Sequence, residues 1–404
     1  MKNIIKKTAI ALALVCFIAS LFSYCATAQV STEYFSDQLL ADFTSTMPSI
    51  TNLDIKAKSV ILMEPKTGQV LYEANADEKL APASVTKIMS LLLVMEAIEN
   101  EKISLNTVAQ TSDHAASMGG SQIWLEPGEE MTVDQLLRAA VIASANDATV
   151  ALAELVAGSE ETFVEQMNQR AKELGMSNTN FVNACGLDTE GHITTARDVA
   201  IMSSALIKHS LIKKYSTVWM DALRDGKSEL VNTNKLVRYY SGCTGLKTGT
   251  TSNAGCCVSA TAERNGMELV AVVMKGENSN ERFAGAKKLL DYGFANWSFV
   301  SIKADSLEKI KIPVSKGVRK NLTVEATESF QFLLKKGAEE KIEKKAEFFK
   351  DITAPVLKGD KVGEVKLFSE GKQIGAIPIT SAEQVDKISF FNSFLSMLGA
   401  ALCP

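Results

Sequence analysis

Strand-like sequence lies on both sides of a long helical stretch, and this order limits the chain to a fold that mixes the two. The first strand-like segment, "AKSVILMEPKTGQVLYEANAD", has β-rich runs at residues 59–63 and 69–74, joined by a turn that contains proline and glycine. Residues 133–187 are rich in apolar positions at helical spacing. Strand character returns in "GLKTGTTSNAGCCVSATAERNGMELVAVVMKG", which contains an Asn-Gly hairpin turn. The pattern predicts the α+β class.

The first 28 residues have the three parts of a secretory signal peptide. Lysines precede an apolar run, and Ala-Thr-Ala follows it. The run is short for a membrane span, which favours cleavage over the alternative of an uncleaved anchor. We therefore expect residues 1–28 to be removed and the protein to be exported.

The rest of the chain divides by composition into four segments. Residues 29–54 form a polar lead-in, and residues 55–298 contain the strand–helix–strand pattern. Residues 299–384 have the alternating, lysine-rich runs and glycine turns of a small β-domain. In residues 385–404, apolar and serine-rich positions fall on opposite faces of a helix, which predicts a helix lying in the membrane surface. A helix packed on its own β-domain is the alternative.

Composition argues against several partners and chemistries. The formal net charge of −4 argues against nucleic acid as a partner. The three histidines are scattered without H-x-x-x-H spacing, so we expect no metal and no cofactor. The odd number of cysteines after the signal segment favours buried free thiols over a disulfide framework. These cysteines are Cys185, Cys243, Cys256, Cys257 and Cys403.

Three short motifs suggest nucleophilic chemistry, but each occurs more than once. In S-x-x-K at a helix start, a neutral lysine one turn from the serine can act as its base. The pattern occurs at Ser84/Lys87, Ser210/Lys213, Ser306/Lys309 and Ser369/Lys372. S-x-N occurs at Ser104/Asn106 and Ser144/Asn146, and K-T-G begins at Lys66 and at Lys247. No single motif is specific by itself.

The order of the motifs selects one set. Serine acyltransferases similar to this chain present S-x-x-K, then S-x-N, then K-T-G. Ser84 is the S-x-x-K serine that satisfies this order, and Ser104 lies too close to it to fold back over a site. Ser144 therefore belongs to the working S-x-N and Lys247 to the working K-T-G. Lys66 is predicted to lie in a surface turn.

The segments around these motifs resemble the low-molecular-mass penicillin-binding proteins, specifically serine-type D-alanyl-D-alanine carboxypeptidases. They are "PASVTKIM", "IASANDATVALAELVAGS", "FVEQMNQRAKELGMSNTNF", "GLDTEGH" and "LKTGTT". The resemblance implies a penicillin-binding transpeptidase fold, with an antiparallel sheet flanked by helices, a helical subdomain and a β-rich C-terminal domain. It also implies action on peptidoglycan stem peptides at the outer face of the cytoplasmic membrane or in the cell wall, with β-lactam antibiotics as inhibitors.

The resemblance assigns the catalytic roles to the first two motifs. Ser84 is expected to attack the carbonyl between two D-alanines, with Lys87 as the general base. Repulsion from Lys247 is expected to favour a neutral Lys87. Ser144 is expected to pass a proton to the leaving amine, and Asn146 to hold the substrate amide.

It assigns substrate binding to the third motif and to one distant arginine. Lys247 and Thr248 are expected to bind the terminal carboxylate, with Gly249 completing the motif. The backbone N–H groups of Ser84 and Thr250 would form the oxyanion hole. Arg282 matches a family arginine that assists at the carboxylate; the alternative is an exposed helix arginine.

The chain departs from the family pattern at Cys185, where relatives often have histidine, and again around "HITTARD". We interpret His192 and Asp198 as structural. Two other functions share the motifs. A class A β-lactamase would lack the additional β-domain, and a non-catalytic cell-wall peptide-binding protein would not react with penicillin.

Overall fold

The computed structural model describes residues 53–302, 309–326, 330–337, 342–369 and 371–389. The predicted signal peptide and nearly all of the predicted lead-in lie outside these ranges. The first domain is built on a five-stranded antiparallel sheet in the order β2-β1-β9-β8-β7. Its strands are β1 (Ala57–Met63), β2 (Val70–Ala74), β7 (Cys243–Thr251), β8 (Gly255–Arg264) and β9 (Met267–Gly276). The strand-like segments at the two ends of the domain thus pair directly, β1 with β9.

The sheet is buried on both faces because its central strands alternate between two cores. In β9, Val270, Val272 and Met274 join the core under the helical subdomain. Leu269 and Val273 join the core on the other face, under the helix that follows β9 in the chain. Successive strand residues point to opposite faces, so a run of apolar residues serves both layers.

Between β2 and β7 the chain forms the helical subdomain. A three-ten turn (Ala83–Thr86) leads into the long first helix of this subdomain. A π-helix (Ala139–Ala143) lies further along, between its third and fourth helices. The helices are α1 (Lys87–Glu99), α2 (Asp113–Ala116), α3 (Val133–Arg138), α4 (Asn146–Ala157), α5 (Glu160–Glu173), α6 (Ala196–Leu206), α7 (Lys213–Ser216) and α8 (Leu236–Tyr239). The subdomain also contains two small antiparallel strand pairs. They are β3 (Val108–Gln110) with β4 (Glu130–Thr132), and the hairpin of β5 (Met220–Leu223) with β6 (Ser228–Val231). Side-chain caps fix several helix starts, including the capping box of Thr132 and Gln135 at α3.

Helix α9 (Ser279–Asn296) covers the second face of the sheet and leads into the C-terminal domain. Asn278 caps its start by accepting from the amides of Asn280 and Glu281. The α+β class and the β-rich C-terminal domain predicted from sequence are therefore confirmed.

The C-terminal domain consists of a two-stranded and a five-stranded antiparallel sheet. Strand β10 pairs with β13, and the larger sheet has the order β11-β12-β16-β15-β14. The strands are β10 (Trp297–Ile302), β11 (Ile310–Pro313), β12 (Asn321–Ala326), β13 (Phe330–Lys335), β14 (Ile342–Phe348), β15 (Lys361–Ser369) and β16 (Lys372–Ser381).

The start of the predicted surface helix belongs instead to this β-rich domain. Val385 forms a β-bridge with Val356, and Lys387 forms one with Gly317. Because the Val385 side chain is buried in the domain core, residues 385–387 pack there in extended form. Residues 390–404 lie outside the described ranges. Among the helices that are described, none is both long and apolar enough to cross a membrane.

Candidate active site

The first motif lies where the three-ten turn meets α1. Lys87 is the first residue of α1 and is completely buried. Its Nζ donates to Ser84 Oγ at 3.1 Å, to Asn146 Oδ1 at 2.5 Å and to the Cys185 carbonyl at 2.9 Å. The i, i+3 spacing on one helical turn brings the amine to the hydroxyl, as the sequence predicts. The contact with Asn146 joins the first motif to the second.

The turn that contains Ser84 packs tightly against Gly186. Ala83 has a left-handed φ of +49°, and its carbonyl lies against Gly186, which has a φ of +85°. A Cβ atom at Gly186 would stand 1.8 Å from that carbonyl oxygen. Glycine is therefore required after Cys185 both by conformation and by space.

Burial lowers the pKa of the Lys87 ammonium, and the negative charge of the nearby Asp147 carboxylate partly opposes this. Burial also holds the pKa of Lys247 well below its usual value, and there the positive charges of Lys87 and Arg282 add to the effect. From the sequence, we expected repulsion by Lys247 to favour a neutral Lys87. The structure assigns the main cause to burial, and the mutual repulsion lowers the pKa of Lys247.

The second motif follows a local break in helical geometry. The π-helix ends at Ala143 and is capped by Ser144, which has a left-handed φ of +65° and is 4% exposed. Helix α4 then begins at Asn146, whose Nδ2 donates to the Gly119 carbonyl at 2.6 Å. Strained backbone and π-bulges are common at functional sites, and here they place Ser144 and Asn146 on a buried turn.

A buried carboxylate that sequence analysis did not single out holds the loop in front of this motif. Asp147 is 0% exposed and accepts from the amides of Ile123 and Leu125 at 3.1 and 3.0 Å. The Asn146 amide donates to the Ser121 carbonyl in the same loop. The position of Asp147 directly after the S-x-N motif could have identified it from sequence, because a carboxylate at the start of an apolar helix needs buried hydrogen-bond donors.

The third motif lies on β7, one of the two edge strands of the sheet. Lys247 is 1% exposed, and its Nζ donates to the Thr248 carbonyl at 3.1 Å. Arg282 reaches the strand from α9, and its Nη1 donates to Gly249 O at 3.1 Å and to Thr250 Oγ1 at 2.8 Å. Arg282 is buried, so the alternative of an exposed helix arginine is wrong.

The first K-T-G is a surface turn between β1 and β2, as predicted. The Lys66 side chain is exposed. The buried Glu64 carboxylate accepts from the Lys66 amide and from the Thr67 amide and hydroxyl. The competing Ser104 also lies in an exposed loop, where its hydroxyl contacts Thr107.

The two residues interpreted as structural make structural contacts. His192 Nδ1 accepts from the Val182 amide, so Nε2 carries the proton and donates to Thr86 Oγ1 at 2.8 Å. The Thr86 hydroxyl in turn donates to the Ala83 carbonyl. Asp198 accepts from the Asn178 amide and the Thr179 hydroxyl. His192 therefore braces the turn that contains Ser84.

Cysteines occur close to the site as free thiols. Cys185 is buried, and its Sγ contacts the Asn146 carbonyl at 3.5 Å. Burial raises the pKa of this thiol to about 12, which keeps it protonated and unreactive. The other cysteines in the described ranges, Cys243, Cys256 and Cys257, are also free.

A sheet flanked by helices, with these three motifs gathered around Ser84, defines the class of penicillin-binding serine enzymes. Comparison with known proteins narrows the class. The profile of the D-alanyl-D-alanine carboxypeptidase family matches residues 44–278, and that of the penicillin-binding protein 5 C-terminal domain matches residues 301–387. The chain belongs to the D-alanyl-D-alanine carboxypeptidase family, and it is a serine-type hydrolase.

Individual relatives agree along most of the chain. D-alanyl-D-alanine carboxypeptidase DacF of Bacillus subtilis is 43% identical over 348 residues, which cover 85% of this chain and 90% of the relative. DacC of Escherichia coli is 35% identical, with coverage of 83% and 86%. The crystal structure of penicillin binding protein 5 from Haemophilus influenzae superposes with a TM-score of 0.73 at 30% identity, covering 84% of this chain and all of that one.

Proposed function

We propose that this carboxypeptidase removes the terminal D-alanine of a peptidoglycan stem pentapeptide through an acyl-enzyme on Ser84. Lys87 accepts the Ser84 proton as Oγ attacks the carbonyl between the two D-alanines. The peptide C–N bond then breaks, the leaving D-alanine amine receives a proton through Ser144, and water hydrolyses the ester. The observation that carries the proposal is the buried Lys87 amine at 3.1 Å from Ser84 Oγ. A buried lysine has the lowered pKa that a base needs.

The neighbouring residues support the charges of this reaction. The amides of Ser84 and Thr250 would stabilise the oxyanion, and Asn146 would hold the substrate amide. The buried cations Lys247 and Arg282 lie on and beside β7, where Lys247 and Thr248 would receive the terminal carboxylate. Penicillin-binding protein D2 of Listeria monocytogenes, 32% identical with a TM-score of 0.55 over 60% of this chain, has been crystallised in an ampicillin-bound form. We expect β-lactams to acylate Ser84 in the same way as substrate.

Labelling with a fluorescent penicillin tests the residue roles. Ser84→Ala should abolish the label, and Lys247→Ala should reduce it strongly. Lys66→Ala, in the other K-T-G, is the matched control and should label like wild type. Full labelling of Ser84→Ala would overturn the proposal. Rapid loss of label from the wild type with release of hydrolysed penicillin would instead indicate a β-lactamase.

Export places the enzyme where its substrate is. Residues 1–28 have the composition of a signal peptide, and peptidoglycan lies outside the cytoplasmic membrane. N-terminal sequencing of the protein from an expressing bacterium should begin at Gln29. A mature chain that still begins at Met1 would contradict this part of the proposal.

The segment after the C-terminal domain is proposed to lie on the membrane surface. Because residues 385–387 pack in the domain and the Ile388 amide donates to the Lys316 carbonyl, the helix would begin after residue 389. Apolar and serine-rich faces along residues 390–402 suit the headgroup plane better than a span. In a liposome flotation test, the mature full-length chain should float and a chain truncated after Ser389 should not. Equal behaviour of the two chains would refute the anchor, and both should hydrolyse a soluble D-Ala-D-Ala peptide.

A further inference from the structure

We propose that Thr233 is a further substrate-binding residue, whose hydroxyl binds the terminal carboxylate beside Thr248. This inference rests on the proposed function, because it needs the terminal carboxylate to bind at the K-T-G strand. Neither the motifs nor the family resemblance points to Thr233, which lies 14 residues before Lys247 in "LVNTNKLV".

The two threonine hydroxyls form a chain that ends in an available donor. Thr248 Oγ1 donates to Thr233 Oγ1 at 2.8 Å. Because Thr248 gives its single hydroxyl proton to this contact, Thr248 acts on the carboxylate through Thr233, whose hydroxyl keeps its own proton to donate. Thr248 is 4% exposed and Thr233 is half-buried, so Thr233 is the more accessible of the pair. A hydroxyl that accepts one hydrogen bond becomes a better donor for the next, which suits an anionic acceptor.

Two buried asparagines hold Thr233 in this position. Asn232 is 2% exposed, and its Nδ2 donates to the Val218 carbonyl while its Oδ1 accepts from the Asn234 amide. Asn234 is 0% exposed, and its Nδ2 donates to the Gly245 carbonyl in β7. The side chains on either side of Thr233 are thus committed to backbone groups. This pins the segment against the K-T-G strand.

Thr233 also touches the other side of the site. Its amide donates to the Ile142 carbonyl at 3.2 Å, in the π-helix that directly precedes Ser144. A single residue therefore connects the turn of the second motif with the strand of the third. A carboxylate bound at the K-T-G strand would meet the Thr233 hydroxyl on a fixed backbone, next to the cationic side of the site formed by Lys247 and Arg282.

The test separates carboxylate binding from a purely structural role. Acylation rate constants are measured with benzylpenicillin and with its methyl ester, in which the carboxylate is masked. Thr233→Val keeps the side-chain shape but removes the hydroxyl, and it should lower the rate with benzylpenicillin about tenfold while changing the rate with the ester less than twofold. Thr233→Ser should restore the benzylpenicillin rate. Thr353→Val, at an exposed threonine of the C-terminal domain, is the control and should match wild type with both compounds.

Several results would overturn the assignment. An equal loss with both compounds would show that Thr233 only supports the structure, and no loss with either would show that its hydroxyl is not used. If Thr233→Val does not fold, Thr233→Ala provides the same comparison. A wild-type protein that neither compound acylates would refute the proposed function itself, which is a distinguishable outcome.

Discussion

A Cβ atom added at Gly249 would lie 2.7 Å from the backbone nitrogen of Ser84. The K-T-G strand thus packs directly against the turn that contains the proposed nucleophile. Carbon and amide nitrogen atoms do not approach so closely in a relaxed structure, so a larger residue would push β7 away from Ser84. The last residue of the working motif is glycine for this reason, and its φ is not left-handed.

Gly249→Ala should therefore reduce penicillin acylation by about 100-fold or more, because a displacement of about 1 Å at a reacting centre costs that much. Gly68→Ala, at the same position of the other K-T-G, is the matched control. A Cβ atom there has open space, although the φ of +71° makes alanine strained. Gly68→Ala should lower stability by about 1 kcal/mol and leave acylation unchanged. Wild-type acylation by Gly249→Ala would contradict the packing argument.

Replacing Lys247 by methionine should stabilise the protein while reducing acylation. Burial lowers the pKa of Lys247 in the folded chain below that in the unfolded chain, so the unfolded chain binds more protons between the two values. Stability therefore rises with pH across that window, and the full penalty is present below the folded pKa. Urea unfolding at neutral pH should show Lys247→Met to be more stable than wild type by about 1–4 kcal/mol. The difference in stability between Lys247→Met and wild type should decrease as pH approaches 10.5.

The exposed Lys66→Met is the control for this experiment and should unfold like wild type at every pH. A destabilised Lys247→Met would mean that the lysine is paired more favourably than its buried surroundings indicate.

The pH dependence of acylation should follow the neutral form of Lys87. Because burial lowers the pKa of this group, the rate should rise with pH along a limb centred below 10.5. Lys87→Arg keeps a positive charge that cannot be lost in this range, and it should lower acylation about 10²–10⁴-fold at every pH. Stopped-flow acylation by a chromogenic β-lactam measures both. A wild-type rate in Lys87→Arg would exclude Lys87 as the base.

Low pH should destabilise the turn that contains Ser84, because His192 becomes protonated. Burial lowers the pKa of this imidazole from 6.5 to about 4. The unfolded chain then binds more protons between those values, so stability falls as pH drops from about 6.5 to about 4, by about 3 kcal/mol in total. His192→Gln should lose this dependence in denaturant titrations across the range.

His114 provides a control of opposite sign. Its hydrogen bond to Glu160 raises its pKa, so its contribution is present at low pH and is lost as pH rises through the folded value. His114→Gln should therefore leave the acid loss of stability in place. If His192→Gln retained the full acid loss as well, another buried group would have to be responsible.

The order of the motifs along the chain was enough to select Ser84, Ser144 and Lys247 from the competing copies and to assign Lys66 to a turn. The strand–helix–strand pattern was enough for the α+β class, because apolar periodicity is a local property of the sequence. Local sequence patterns did not show that the first residues of the predicted C-terminal helix are extended and paired with the β-rich domain. Residues 385–387 are apolar and polar in a pattern that suits either a helix or a strand, and pairing with Val356 and Gly317 decided it.

Only the tertiary structure decided how basic Lys87 is and which further hydroxyl lies beside the K-T-G strand. The pKa of Lys87 depends on burial by groups 59 and 98 residues away, Asn146 and Cys185, and no local pattern encodes that desolvation. Thr233 likewise reaches Thr248 because two buried asparagines fix its backbone from both sides. The sequence by itself determined which chemical groups are present and in what order. The fold determined their distances and their exclusion from water, because both depend on contacts between segments far apart in the chain.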